Sequence, residues 1–328
     1  MVMLTIPCPA AVGRVTEQPD VVVIVVTFNS ADVVETFLNA MPAALEGVNS
    51  AQVIIVDNES SDGTPAKVRQ MAPWVVVLES GGNLGYAAGI NIGMRHLNAT
   101  RGFMVLNPDA VPRAGCIRRL MNAVESDDSL GISVPKIVDT EGTLSYSLRR
   151  EPSIGRALGE ALLGGRRAAR YGPLSEMIRD PSYYVDRAKA DWATGAAMYI
   201  ARKVVDAIGS WPEEYFLYSE ETAYALGARD AGYNLQLVAD AVVVHRGGEM
   251  TTSPMLWSLQ AVNRIRLYRS RHGRVASGFY WCAVTLNEAI RSVRRKPTHR
   301  AAVVALFRDA SPRRLDSKNK RLVHQRSD

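Results

Sequence analysis

The stretch VVVIVVTFNS (21–30) decides the fold. Six β-branched residues run uninterrupted up to Thr27. Such a run marks a strand covered on both faces, as inside a parallel sheet. Its end turns polar at once, through Thr27, Phe28, Asn29 and Ser30. The design recurs in QVIIVD (52–57), WVVVLES (74–80) and FMVLN (103–107). Helical spacing fills the gaps: Val33, Val34, Phe37, Leu38 and Met41 around 31–46, a helix opened by Asp62-Gly63-Thr64-Pro65, and another near 87–98. Alternating strands and helices predict an α/β chain with a doubly wound sheet.

After residue 110 the alternation weakens. A helix is expected near 114–126 and a strand at ISVPKIV (132–138). Residues 140–190, rich in Arg, Gly and Pro, are expected to form a mobile excursion with helical pieces such as 154–163. AAMYIAR (196–202) and LQLVADAVVVH (235–245) read as strands, with a helix over 216–231 between them. Residues 1–19, with Pro7, Pro9 and Pro19, read as a loose arm. From 255 to about 292 the pattern is helical and basic, and the last 35 or so residues are expected to be weakly ordered.

The 328 residues are 47% hydrophobic and 22% charged, which excludes a mainly disordered chain. Cys8, Cys116 and Cys282 lie far apart, so neither a disulfide framework nor a cysteine-built zinc site is expected, and a reducing compartment suits them. The net charge of +6 hides an asymmetry: residues 260–328 carry a surplus of 13 positive charges and the rest a deficit of 7. A basic tail of this kind either meets a polyanion such as an anionic membrane or is simply solvated. The first twenty residues lack the pattern of a signal peptide. Residues 275–290, the nearest approach to a span, fall short of the ~20 apolar residues that crossing requires. A cytoplasmic protein is expected, peripheral on the inner face of the plasma membrane at most.

Ligands of open α/β sheets sit at the carboxyl ends of the strands. There the sequence gathers Thr27 and Asn29, then Asp57 and Asn58, then Asn83, Gly89 and Asn91, then Asn107 and Asp109. Neither a G-x-G-x-x-G after the first strand nor a P-loop motif is present, which disfavours dinucleotide oxidoreductases and P-loop nucleotidases. Side chains must therefore hold any nucleotide. Asp57 is expected to accept from a base N–H rather than merely cap its turn, with Thr27 and Asn29 near base or ribose.

In this order and spacing, T-F-N-S, V-D-N-E-S-S-D-G-T, N-L-G-Y-A-A-G-I-N and L-N-P-D-A resemble the glycosyltransferase family 2 enzymes of GT-A fold. Rhamnosyltransferase-like members of bacterial cell-surface polysaccharide synthesis are nearest in pattern. The likeness continues through G-A-A-M (195–198), I-G-S-W-P-E-E-Y-F-L-Y-S-E-E (208–221), R-D-A-G-Y (229–233) and V-V-V-H (242–245). It implies a GT-A-type mixed sheet flanked by helices over 20–250, with a nucleotide-sugar half (20–110) and an acceptor half (111–250). Residues 251–328 would then be a basic helical extension.

The resemblance also implies roles. Asp109 stands where the family's metal-binding aspartate stands, and His245 resembles the histidine completing that site, so a divalent cation (Mg2+ or Mn2+) is expected. Asn58, Asn83, Gly89, Asn91 and Asn107 would line the donor. The Glu220-Glu221 pair matches the family's acidic pair, with Glu221 in the place of the base; the helix dipole alone could also explain two acids there. Ala223 and Gly227 stand where the family often has an acid and an arginine. Trp192, Gly195, Trp211 and Tyr218 are candidates for a sugar platform.

The expected activity is inverting, metal-dependent transfer of a sugar, rhamnose among the candidates. The donor would be a nucleotide-diphosphate sugar and the acceptor a saccharide or polyprenyl-diphosphate-linked acceptor, with no nucleic acid involved. The alternatives are a catalytically impaired, sugar-nucleotide-binding scaffold, motivated by Ala223 and Gly227, and a nucleotidylyltransferase, disfavoured by T-F-N-S. Arg264, Arg266, Arg269, Arg271, Arg274, Arg291, Arg294, Arg295 and Lys296 flank a segment bearing Phe279, Tyr280 and Trp281, the composition of an interfacial helix.

Overall fold

The computed structural model describes residues 18–247, 253–293 and 296–309. Strands β1 (Val21–Thr27), β2 (Ala51–Asp57), β3 (Val76–Glu79) and β4 (Gly102–Leu106) alternate with helices α1 (Val34–Ala44), α2 (Thr64–Met71) and α3 (Tyr86–His96). The strands pair in parallel in the order β3-β2-β1-β4. Every residue of β1, β2 and β4 is buried, as their apolar runs require. Helix α3 seats itself on this sheet through Gly89 and Gly93, one turn apart. A Cβ on Gly89 would lie 2.7 Å from Val26, and one on Gly93 2.9 Å from Ile24, so only glycine permits this approach.

The second half extends the same sheet in mixed sense. Its strands are β5 (Ala110–Pro112), β6 (Leu130–Val138), β8 (Lys189–Ala190), β10 (Ala197–Ala201) and β11 (Asn234–His245), and the order continues β4-β10-β6-β11-β5. Strand β10 is antiparallel to β4 and β6, whereas β11 is parallel to β6 and antiparallel to β5. That last pairing sets His245 opposite Ala110, next to Asp109. A separate ribbon joins β7 (Leu148–Arg149) to β9 (Trp192–Ala193). Helices α4 (Cys116–Glu125), α5 (Ile154–Leu163), α6 (Gly165–Ala168), α7 (Arg202–Ile208) and α8 (Glu220–Asp230) complete this half.

Three helices follow: α9 (Pro254–Arg271), α10 (Arg274–Ser292) and α11 (Pro297–Asp309). They share a core of Ile265, Tyr268, Tyr280, Val284, Ala302 and Leu306, which also takes in Ala157 of α5. This corrects two expectations. Residues 140–190 form elements packed into the fold rather than a loose excursion, because α5 is built into the helical unit and Arg264 joins Glu160 and Glu176 in a partly buried ion cluster. The weakly ordered tail, expected to begin near 294, gives way to α11 over Pro297–Asp309. The N-terminal arm up to residue 17, Arg294, Arg295 and residues 310–328 lie outside the described residues.

The interfacial reading of α10 is corrected in part. Tyr280 is fully buried, stacked on Tyr268 with centroids 3.9 Å apart, and its hydroxyl accepts from Arg264. Trp281 donates to the carbonyl of Leu306. Phe279 does face outward. Arg271 pairs with Glu151 and Asp230 and so, like Arg264, is spent inside the protein. No helix among the described residues is long and apolar enough to cross a membrane.

Candidate active site

The polar strand ends meet along one edge of the sheet, but several serve one another rather than a ligand. Asp57 is buried; its Oδ1 accepts from the Thr27 hydroxyl (2.8 Å) and the Ser60 hydroxyl (2.6 Å), and its Oδ2 from the Ser60 amide (2.8 Å). Asp57 thus holds its turn, as the capping alternative has it. Asn29, left-handed at φ 50°, donates its amide to Ser60 and accepts from Ser61 through its side chain. These contacts make the loops after β1 and β2 one rigid shelf.

The motif after β3 is likewise built into the fold. Asn58 donates to the carbonyl of Gly85 (3.0 Å), leaving its buried Oδ1 without a partner among the described residues. Asn83 accepts from the Gly85 amide. Asn91 is not a donor contact: its Oδ1 accepts from the Trp211 amide, and its Nδ2 donates to the Trp211 carbonyl and to Glu213. Gly89 admits Val26. Trp211 is 1% exposed and stacks on Tyr224, and Trp192 is buried beside Arg149, so both expected platforms are core groups.

Other predicted residues gather at the turn after β4 and the end of β11. Asn107, partly exposed, opens the turn to Asp109: its amide donates to the carbonyl of Ala196, and its carbonyl accepts from the Ala110 amide. Asp109 Oδ1 lies 3.2 Å from His245 Nε2, and the Gly247 amide donates to Oδ2. Burial opposes the Asp109 charge, but the His245 contact and the Gly247 amide outweigh it and hold the carboxyl below its ordinary range. Among the described residues no third His, Cys, Asp or Glu joins a metal-holding group.

Helix α8 brings the acidic pair. Glu220 is almost wholly buried; burial first, and Glu221 second, push its pKa well up. Burial raises Glu221 to about 7. Each keeps one buried carboxylate oxygen without a hydrogen-bond partner among the described residues. Gly195 lies against this pair, since a Cβ there would sit 3.3 Å from the Glu221 Cβ.

The residue that ties the two halves together is Tyr86, which sequence reasoning missed although it stands in the N-L-G-Y motif. Its hydroxyl donates to the carbonyl of Gly195 (3.0 Å). Burial and the charges of Glu220, Glu221 and Asp109 drive its own pKa well up. Asp109, Glu220 and Glu221 therefore all act electrostatically on one buried phenol. The loop into α8 is strained: Phe216, Tyr218 and Ser219 all have positive φ, a cost of ~1–3 kcal/mol each. Asn263 of α9 holds this loop by donating to the carbonyls of Tyr215 (2.7 Å), Leu217 (2.9 Å) and Tyr218 (3.2 Å). No local sequence signal reveals that contact.

A family model described as Glycosyl transferase family 2 matches residues 22–192. The chain belongs to glycosyltransferase family 2. This glycosyltransferase is 28% identical over 239 residues to the N-acetylglucosaminyl-diphospho-decaprenol L-rhamnosyltransferase of Mycobacterium tuberculosis, covering 70% of this chain and 76% of that one. It is 30% identical over 223 residues to the low-salt glycan biosynthesis hexosyltransferase Agl10 of Haloferax volcanii, covering 66% and 64%. Among solved structures it is similar to the mannosyltransferase PcManGT from Pyrobaculum calidifontis in complex with GDP-Man and Mn2+. That likeness has a TM-score of 0.54 at 19% identity and covers 94% of this chain and 81% of the other. At that identity it speaks for the GT-A fold alone.

Proposed function

We propose that this glycosyltransferase moves a sugar, with rhamnose the leading candidate, from a nucleotide-diphosphate donor to a lipid-linked or cell-envelope saccharide, with inversion. The observation that carries this reading is the meeting of three segments at Gly195 and Ala196: the Tyr86 hydroxyl donates to the Gly195 carbonyl, Glu221 packs on Gly195, and the Asn107 amide, two residues before Asp109, donates to the Ala196 carbonyl. The name of the mycobacterial relative supports the choice of sugar and of a polyprenyl-diphosphate acceptor.

In this reading Glu221 accepts the proton of the acceptor hydroxyl as its oxygen bonds to the anomeric carbon. The bond from that carbon to the diphosphate oxygen breaks, and its electron pair leaves with the diphosphate. Asp109 and His245 fit a divalent cation: one carboxylate and one imidazole leave the other positions to phosphate oxygens and water, as hard cations prefer. Bound there, the cation would neutralise the departing diphosphate. Helix α8 runs unbroken through Ala223 and Gly227, the two departures that motivate the scaffold alternative.

Two variants test the proposal. Glu221→Gln should lower kcat by ~10²–10⁴-fold with nucleotide affinity nearly intact. Asp109→Asn should abolish the manganese-dependent part of the thermal stabilisation given by nucleoside diphosphates. A wild-type protein that binds nucleotide but turns over none of a panel of nucleotide sugars would favour the scaffold.

A further inference from the structure

Away from the Asp109 edge, residues 140–190 enclose a cleft of about 490 Å³. Four arginines line it, Arg150, Arg166, Arg170 and Arg179, against one acid, Asp180. Asp180 is engaged with the amide and hydroxyl of Ser182. None of the four guanidiniums is ion-paired among the described residues. Arg150 donates to the carbonyl of Ser175, and Arg179 contacts the Met177 sulfur and lies over the Tyr146 ring. Elsewhere Arg101, Arg229, Arg264 and Arg271 all find carboxylates. Four like charges converging on one concavity against a single carboxylate suit a multiply charged anion, and guanidinium forks match phosphate oxygens.

The cleft borders the acceptor side of the site. Tyr146, which stands beneath Arg179, gives its carbonyl to Arg149 of β7 (2.6 Å), and β7 pairs with β9, whose end lies two residues before Gly195, the glycine packed on Glu221. Apolar residues adjoin the arginines in sequence. Leu162 and Leu163 are exposed at the end of α5, just before Arg166, and Tyr171 is exposed beside Arg170. We propose that this arginine-lined cleft binds the diphosphate of a prenyl-diphosphate-linked acceptor, holding the sugar beyond it towards Glu221. This rests on the lipid-linked acceptor reading above.

The test is titration of the full-length protein with inorganic pyrophosphate and with farnesyl diphosphate. EDTA keeps the metal-dependent donor edge silent. Both probes should bind wild type. The double variant Arg166→Gln/Arg170→Gln, both exposed positions, should weaken them at least tenfold. Its manganese-dependent binding of nucleoside diphosphates should stay within twofold of wild type. Farnesyl diphosphate binding more tightly than pyrophosphate assigns the site to a lipid headgroup; equal affinities assign it to the diphosphate alone. Wild type binding neither probe, or the double variant binding both unchanged, overturns the proposal. Loss of nucleotide binding with the cleft intact would instead sink the donor reading.

Discussion

Glu220 and Glu221 sit side by side in a pocket that disfavours charge, and pH reads this directly. A carboxyl whose folded pKa lies above its ordinary value holds its proton after the unfolded chain has released its own. Stability is then fully present below about 4.5 and is lost as pH rises through the folded pKa, near 7 for Glu221 and raised for Glu220. Glu220→Gln removes that loss: its melting temperature should match wild type at pH 5 and exceed it at pH 8, by roughly 2–4 °C per kcal/mol recovered. A gap that shrinks with pH would refute the assignment. In the proposed mechanism Glu221 works only when ionised, so kcat/KM should climb with pH about a midpoint near 7. The identity of these acids was legible in the sequence; their burial was not, because Tyr86 and Gly195 reach them from distant segments.

At the scale of elements, two helical glycines should answer alanine in opposite ways. Gly89→Ala drives a methyl into Val26 and should cost ~1–3 kcal/mol in a denaturant titration while leaving nucleotide affinity unchanged. At Gly227 the added carbon would meet only Ile208, at 3.7 Å, so Gly227→Ala should stabilise by ~1 kcal/mol. Equal effects would show that helix propensity, not packing against the sheet, governs both. The parallel strands were legible because strands covered on both faces must be apolar throughout. The insertion of β10 between β4 and β6 was not, since nothing local in AAMYIAR names its neighbours. Trp211 and Asn91 misled for a related reason: aromatic or amide character says nothing of which way a side chain faces.

At the scale of the molecule, α10 leaves Val275, Phe279, Leu286 and Ile290 exposed along one side, continued by Val293 just past its end, with Leu158 and Leu162 of the adjoining α5 also exposed. In the membrane reading this apolar stripe, with Arg291 and Lys296 at its end, would rest on an anionic surface. Vesicles of phosphatidylglycerol should carry the protein upward in a flotation gradient at low salt, and the triple variant Phe279→Ser/Leu286→Ser/Ile290→Ser should stay at the bottom. Equal flotation of both proteins would remove the stripe from the account. The charge asymmetry made a basic extension legible, but not that Arg264 and Arg271 turn inward to bind acids on other segments.

The amide of Asn263 has one more implication. Three carbonyls of the turn that aims Glu221 hang on a single side chain from the C-terminal helices. The extension is therefore not a detachable module, and cutting the chain before Pro254 would silence turnover even in detergent, with no bilayer present. Grafting it between relatives should carry rate along with location, so a chimera that changed address but kept its speed would show that the turn stands unaided.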